Sequence, residues 1–145
     1  VPLDAMLGRW RGGEIATGHV FDGLLEPSGW HGKNFRSIDD VDPLVFRGKD
    51  GRLFAGNPAI MPVGLIQRMP RVAKHPLSAA PLLATRRARA RLRMAGSCGV
   101  TAATTIYADL PINDVFRMVT NDVMLGAMDI RGSDRPFFFT LRREG

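Results

Sequence analysis

One cysteine, one tyrosine, three histidines and three lysines are all that this 145-residue chain holds of those residue types. Cys98, alone, excludes an internal disulfide. It lies in "GSCG", and with no histidine nearby it reads as a small buried side chain in preference to a nucleophile. His19, His31 and His75 have no close ligand spacing and only one thiol to work with, so no metal site is expected. His75 is a poor axial ligand for haem, no glycine-rich phosphate loop opens a helix, and Ser97 does not fit a nucleophile elbow. No cofactor is therefore expected. Apolar runs fall far short of the ~18 residues that a membrane-crossing helix needs. Asp4 and Arg9 interrupt any signal-like start, and with the lone thiol this points to the cytoplasm.

What is present suits one compact domain: 45% of residues are hydrophobic and 23% charged. Neither half alone could build a comfortable core, so residues 1–145 are read as a single unit. It comprises a first part over 1–60, an irregular proline-rich connection over 61–84, and a second part over 85–145. The net charge is +6, and seventeen of the twenty basic residues are arginine. In "RRARARLRMAG", Arg87, Arg89, Arg91 and Arg93 alternate with small apolar residues, which on a strand gives one basic face. A solvated face is preferred to a phosphate-binding stripe, because aromatic residues for base stacking are missing. A nucleic-acid-binding module remains the outlying alternative.

Glycine and proline recur at short intervals and helical periods are scarce. "GWHGKNFRS" alternates, with His31, Lys33 and Phe35 on one face and Trp30, Gly32, Asn34 and Arg36 on the other. "PLVFRGKDGRLFAGNP" reads as two strands joined at Lys49-Asp50-Gly51. One short helix is expected near Ser78–Ala84. Further strands are expected at Ala88–Ala95, Val100–Ala108, Val115–Val119, Val123–Ile130 and Phe137–Arg143. Their links are short (96–99, 111–114, 120–122 and 132–136), which implies antiparallel neighbours. "PFFFTLRR" begins apolar on both faces. The fold expected is mainly β: a single antiparallel, lipocalin-like barrel of about 8–10 strands, closed so that no long edge is exposed.

"GRWRG" (Gly8, Trp10, Gly12), followed by "TGHVFDGLLEPSGWHGKNFRS" and "DPLVF", resembles the GXWXG protein family. The stretch from "RLRMAGSCGV" through "GAMDIRG" to "PFFFTLRRE" resembles the uncharacterised companion domain found behind it. No settled activity comes with that resemblance. His31 stands where an aromatic such as tyrosine is expected. Lipocalin-like barrels also carry a Gly-x-Trp on the first strand, whose indole packs under an arginine of the last strand. By that analogy Trp10 is a floor beneath Arg142 or Arg143, an arrangement worth about 0.5–2 kcal/mol.

Candidate chemistry centres on carboxylates. Asp109 and Asp114 flank a turn in "IYADLPINDVFR", and "GAMDIRG" adds Asp129. Paired carboxylates in a half-apolar pocket can act as general acid and base. The competing reading has Asp109 and Asp114 bonding turn amides, with Arg117 paired to one of them. Tyr107, His31 or Lys33 would orient an oxygen, although a solvated Lys33 is preferred to a desolvated one. His19 and Asp22, three apart, form either a proton-shuttling pair at a cavity mouth or a loop-pinning pair. The pocket itself would be lined by Trp30, Phe35, Phe116, Met128 and Phe139.

Together these features lead to a barrel that encloses a small apolar or amphipathic molecule. Two outcomes stay open at this point. One is cofactor-free acid–base chemistry of isomerase, lyase or cyclase type on a lipid-like or terpenoid substrate, and the other is binding without turnover. A homodimer is the assembly weighed.

Overall fold

The computed structural model describes residues 1–18, 23, 29–48, 50–56 and 89–145. A one-turn helix, α1 (Leu3–Met6), leads into β1 (Gly8–Glu14). Then come β2 (Trp30–Phe35), β3 (Val41–Arg47) and β4 (Leu53–Ala55), followed by β5 (Ala90–Ser97), β6 (Val100–Tyr107), β7 (Ile112–Thr120), β8 (Val123–Ile130) and β9 (Phe137–Arg143). Every pairing is antiparallel: β5 to β9 form a meander, β9 pairs with β1, and β1–β2–β3 return to β5 through Val41 and Ala90. Eight strands close the barrel, and β4 is a ninth, appended to β3 beside Val45–Arg47. Both halves of the chain thus build one wall, and closure leaves β4 to shield the upper part of β3.

Local chemistry explains the sharp corners. Cys98 and Gly99 are the two residues between Ser97 and Val100, and both have positive φ (49° and 76°), as a right-twisted two-residue hairpin requires. Cys98 is consequently exposed at a turn, which corrects the expectation of a buried thiol. The link expected at 111–114 is also shorter than read. β7 already starts at Ile112, so Asp114 is a strand residue opposite Thr105 on one side and Met128 on the other. The expected hairpin around Asp50-Gly51 is present, with Gly51 at φ 80°. The proline-rich connection with its expected helix at Ser78–Ala84 lies outside the described residues, as do His19, Asp22, His75 and Arg87.

The interior is apolar and aromatic. Trp10, Phe35, Phe116, Phe137, Phe139, Leu92, Met124 and Leu141 are fully buried. As "PFFFTLRR" implied, Phe137, Phe139 and Leu141 are sealed while Phe138 on the opposite face is half-covered. At one end the Trp10 indole donates to the Met6 carbonyl (2.8 Å) and lies 4.2 Å beneath the Arg143 guanidinium. Arg143 in turn donates to the carbonyls of Leu7 (3.0 Å) and Ala5 (2.6 Å), which ties α1 across the barrel floor. Of the two arginines considered for this role it is Arg143, since Arg142 points outward and is exposed. Gly12 completes the Gly-x-Trp-x-Gly pattern for a different reason. A Cβ there would sit 2.0 Å from the Trp30 ring, so the missing side chain is the space that indole fills.

Candidate functional site: a buried ion pair among aromatic rings

Strand β2 does not keep the simple alternation its sequence suggests. Its register against β3 shifts on both sides of Gly32, where a Cβ would stand only 1.9 Å from the Trp10 carbonyl oxygen. The irregularity carries Trp30 to the same side as Lys33 and Phe35, while His31 turns to Glu144. Lys33 is 2% exposed, so the expectation of a solvated lysine is corrected: the chain turns inward at Trp10, its partner on β1. Its ammonium donates to the Pro43 carbonyl (2.9 Å), the Tyr107 hydroxyl (3.2 Å) and Asp114 Oδ2 (2.6 Å). The rings of Phe139, Tyr107 and Trp30 surround it, with centroids 5.2, 5.5 and 5.9 Å away.

Tyr107 completes the cluster by donating to the same Asp114 Oδ2 (3.1 Å). Burial, reinforced by the charge and hydrogen bond of Asp114, holds its hydroxyl well above the usual phenol range, so it stays protonated and donates a hydrogen bond at neutral pH. The geometry therefore offers a fixed cation, a carboxylate and a neutral phenol on three different strands, packed within hydrogen-bonding distance. Asp114 is 0% exposed, yet its second oxygen, Oδ1, has no hydrogen-bond partner among the described residues. The same is true of Thr105 Oγ1, on the residue directly opposite Asp114 in the β6–β7 ladder. An unsatisfied buried polar group costs about 1–3 kcal/mol, more where charge is involved, so two of them side by side call for an explanation.

The remaining candidates fall into two groups. Trp30, Phe35, Phe116 and Phe139 are brought together as a chain of edge-to-face rings, with centroid separations of 5.7 Å (Trp30–Phe139), 6.0 Å (Phe35–Phe116) and 6.1 Å (Phe116–Phe139). Met128 packs half-buried against this core. Asp109 and Asp129, by contrast, are exposed, which corrects the expectation of three carboxylates converging on one pocket. Asp109 pairs with Arg89 (3.1 Å), and Asp129 lines an open cleft of about 280 Å³ with Asn113 and Arg131. The reading in which turn amides and Arg117 hold the aspartates also fails for Asp114, because Lys33 and Tyr107 hold it and Arg117 is exposed. His31, its side chain 9% exposed, pairs with Glu144 (2.8 Å), and both line an open cleft of about 230 Å³ together with Lys33.

Thr105 is the polar group that sequence reasoning missed. Its signal was available: in "VTAATTIY" strict alternation puts Ala103, Thr105 and Tyr107 on one face. The Pro43 carbonyl had no comparable signal. On the outside, Arg93 bonds Asp39 (2.5 Å) and Arg89 bonds Asp109, so two members of the basic stripe already have acidic partners. Among the described residues no cluster of three or more His, Cys, Asp or Glu is close enough to hold a metal ion. Among the same residues no helix is long and apolar enough to cross a membrane.

Fold and interior together define a closed antiparallel β-barrel of up-and-down type, with a polar cluster sealed in an aromatic core. Residues 1–51 match the GXWXG protein family, and residues 88–143 match a domain of unknown function (DUF4334). The chain belongs to the GXWXG family and carries that companion domain. It is similar to the crystal structure of a protein from Thermomonospora curvata, at 33% identity and a TM-score of 0.75, over 100% of this chain and 79% of that one. No curated protein matches it.

Proposed function

We propose that the barrel binds a small, predominantly apolar molecule, oriented by the Lys33–Asp114–Tyr107 cluster. One observation carries the reading: an ion pair buried to within 2% of full coverage inside a wall of aromatic rings. Such a pair contributes little to stability compared with packed apolar side chains, so its presence favours a recognition role. Ligand sites of this class combine an apolar lining with a few convergent polar groups. Tyr107 also forms part of two open clefts, of about 410 Å³ and 280 Å³, at the β5–β6–β7 side of the wall. Lys33 lines a third, of about 230 Å³, with His31 and Glu144, and these openings beside the cluster support the reading. N-phenyl-1-naphthylamine, a neutral probe that brightens in apolar surroundings, tests this directly. Saturable one-to-one binding is expected, competed by whatever molecule organic solvent extracts from the natively purified protein. Absence of saturable binding removes the reading.

A second reading, acid–base turnover of isomerase or lyase type, is favoured by the sharing of Asp114 Oδ2 between the Tyr107 hydroxyl and the Lys33 ammonium. Tyr107 would donate a proton and Asp114 accept one, with Lys33 as the fixed charge beside them. In D₂O an extracted ligand would then gain deuterium at carbon with the native protein and not with Tyr107→Phe. No incorporation leaves the barrel as a binding protein.

A further inference from the structure

We infer that the molecule held in the barrel is an alcohol, whose hydroxyl bridges Asp114 Oδ1 and Thr105 Oγ1; this rests on the proposal that the barrel binds a small molecule. Every other polar atom of the cluster is committed. Lys33 has three hydrogens and three acceptors: Pro43, Tyr107 and Asp114 Oδ2. The Tyr107 hydroxyl accepts from Lys33 and donates to Asp114. The capacity left over on Asp114 and on the residue facing it is the Oδ1 lone pairs and the Thr105 hydroxyl, both fully buried and directly opposite each other.

The chemistry of those two groups selects the ligand. Whatever sits between them must donate to a carboxylate oxygen and can accept from a hydroxyl. An alcohol does both. A ketone accepts from Thr105 and leaves Oδ1 bare beside its own oxygen. The Lys33–Asp114 pair is already neutral overall, so a carboxylate or an ammonium ligand would bury a charge without compensation. A trapped water could make the same two bonds. In that case the neutral head group of the ligand would not matter.

Four probes of equal chain length separate these outcomes: 1-octanol, 2-octanone, octanoate and octylammonium, each used to displace N-phenyl-1-naphthylamine from the full chain. Octanol should displace the probe at about tenfold lower concentration than octanone, the size expected for one charge-assisted hydrogen bond. Octanoate and octylammonium should be weaker still. Thr105→Val keeps the side chain's shape and removes its hydroxyl; it should weaken octanol and octanone displacement alike, by about fivefold, and leave the octanol preference, which comes from Asp114 Oδ1, in place. Equal displacement by octanol and octanone overturns the inference, as does tighter binding of either ion, or octanol displacement that is unchanged by Thr105→Val. A probe that binds but yields to none of the four overturns it too. A probe that fails to bind at all removes the binding reading beneath it.

Discussion

Two cations sit against aromatic rings in this barrel, and they are finished differently. At the floor, Arg143 covers Trp10 and every polar group has a partner: the indole donates to Met6, and the guanidinium donates to Ala5 and Leu7. In the interior, Lys33 lies among Phe139, Tyr107 and Trp30 with its hydrogens equally well used, but the carboxylate that balances it has an oxygen to spare. The first arrangement is complete in itself and closes an end of the wall. The second is incomplete without a further donor. Similar residue types therefore close the wall at one site and leave hydrogen-bonding capacity over at the other, and the difference lies in the unpaired oxygens.

The largest test of that contrast is at Lys33. Lys33→Met strands Asp114 as a lone buried charge and should cost about 3–5 kcal/mol in denaturant unfolding. The double variant Lys33→Met, Asp114→Leu should regain most of that loss while no longer distinguishing polar from apolar probes. If the double variant is no more stable than the single one, the pair is structural and the contrast with the floor disappears. At the floor, Arg143→Met should cost about 2 kcal/mol, the sum expected for a cation over an indole and a bond to each of two carbonyls. Probe affinity should change by less than about twofold, because the ammonium cluster is untouched. A large loss of binding with little loss of stability would reverse the roles assigned to the two sites.

The smallest effect is confined to alkaline solution. Tyr107 is the one tyrosine in the chain, so tyrosinate absorbance near 295 nm reports this residue alone. Its folded pKa is raised well above 10.0, mainly by burial. The protonated form is thus favoured by folding, and the contribution is fully present below the unfolded pKa of about 10. It is lost as pH rises from there through the folded value. Native protein should show no tyrosinate near pH 10, where urea-unfolded protein titrates normally, and stability should fall only above that point. Ordinary titration in the folded state would mean that the hydroxyl is reached by water and does not belong to a sealed cluster.

The pattern of apolar residues and turn signals made most of the second half legible, because a β-meander with two-residue links is written locally. Gly99 at a hairpin, the doubly apolar start of β9 and the hairpin at Asp50-Gly51 were all readable in this way. Misreadings arose where neighbours overrode the local pattern. Pro111 suggested a longer link than β7 allows, which hid Asp114 in a loop when it belongs to a ladder opposite Thr105. On β2, period-two alternation put Trp30 on the face opposite Lys33, whereas its ring lies beside the ammonium. The close approach of Gly32 to the Trp10 carbonyl breaks that alternation, and nothing in residues 30–36 announces it.

For the site, Lys33, Tyr107 and Asp114 were all chosen from the sequence, but as separate possibilities with different companions. Asp109 and Asp129 looked equally good on chemistry and turned out to face solvent. By itself the sequence determined the class of fold, the strands of the meander and the Gly-x-Trp floor, since each depends on residues a few positions apart or on one steric requirement. Only the tertiary structure decided which carboxylate meets the lysine. Lys33 and Asp114 are eighty-one positions apart, and no local signal spans that distance. Their meeting depends on barrel closure and on a bulge that rotates β2, and both are properties of the whole wall.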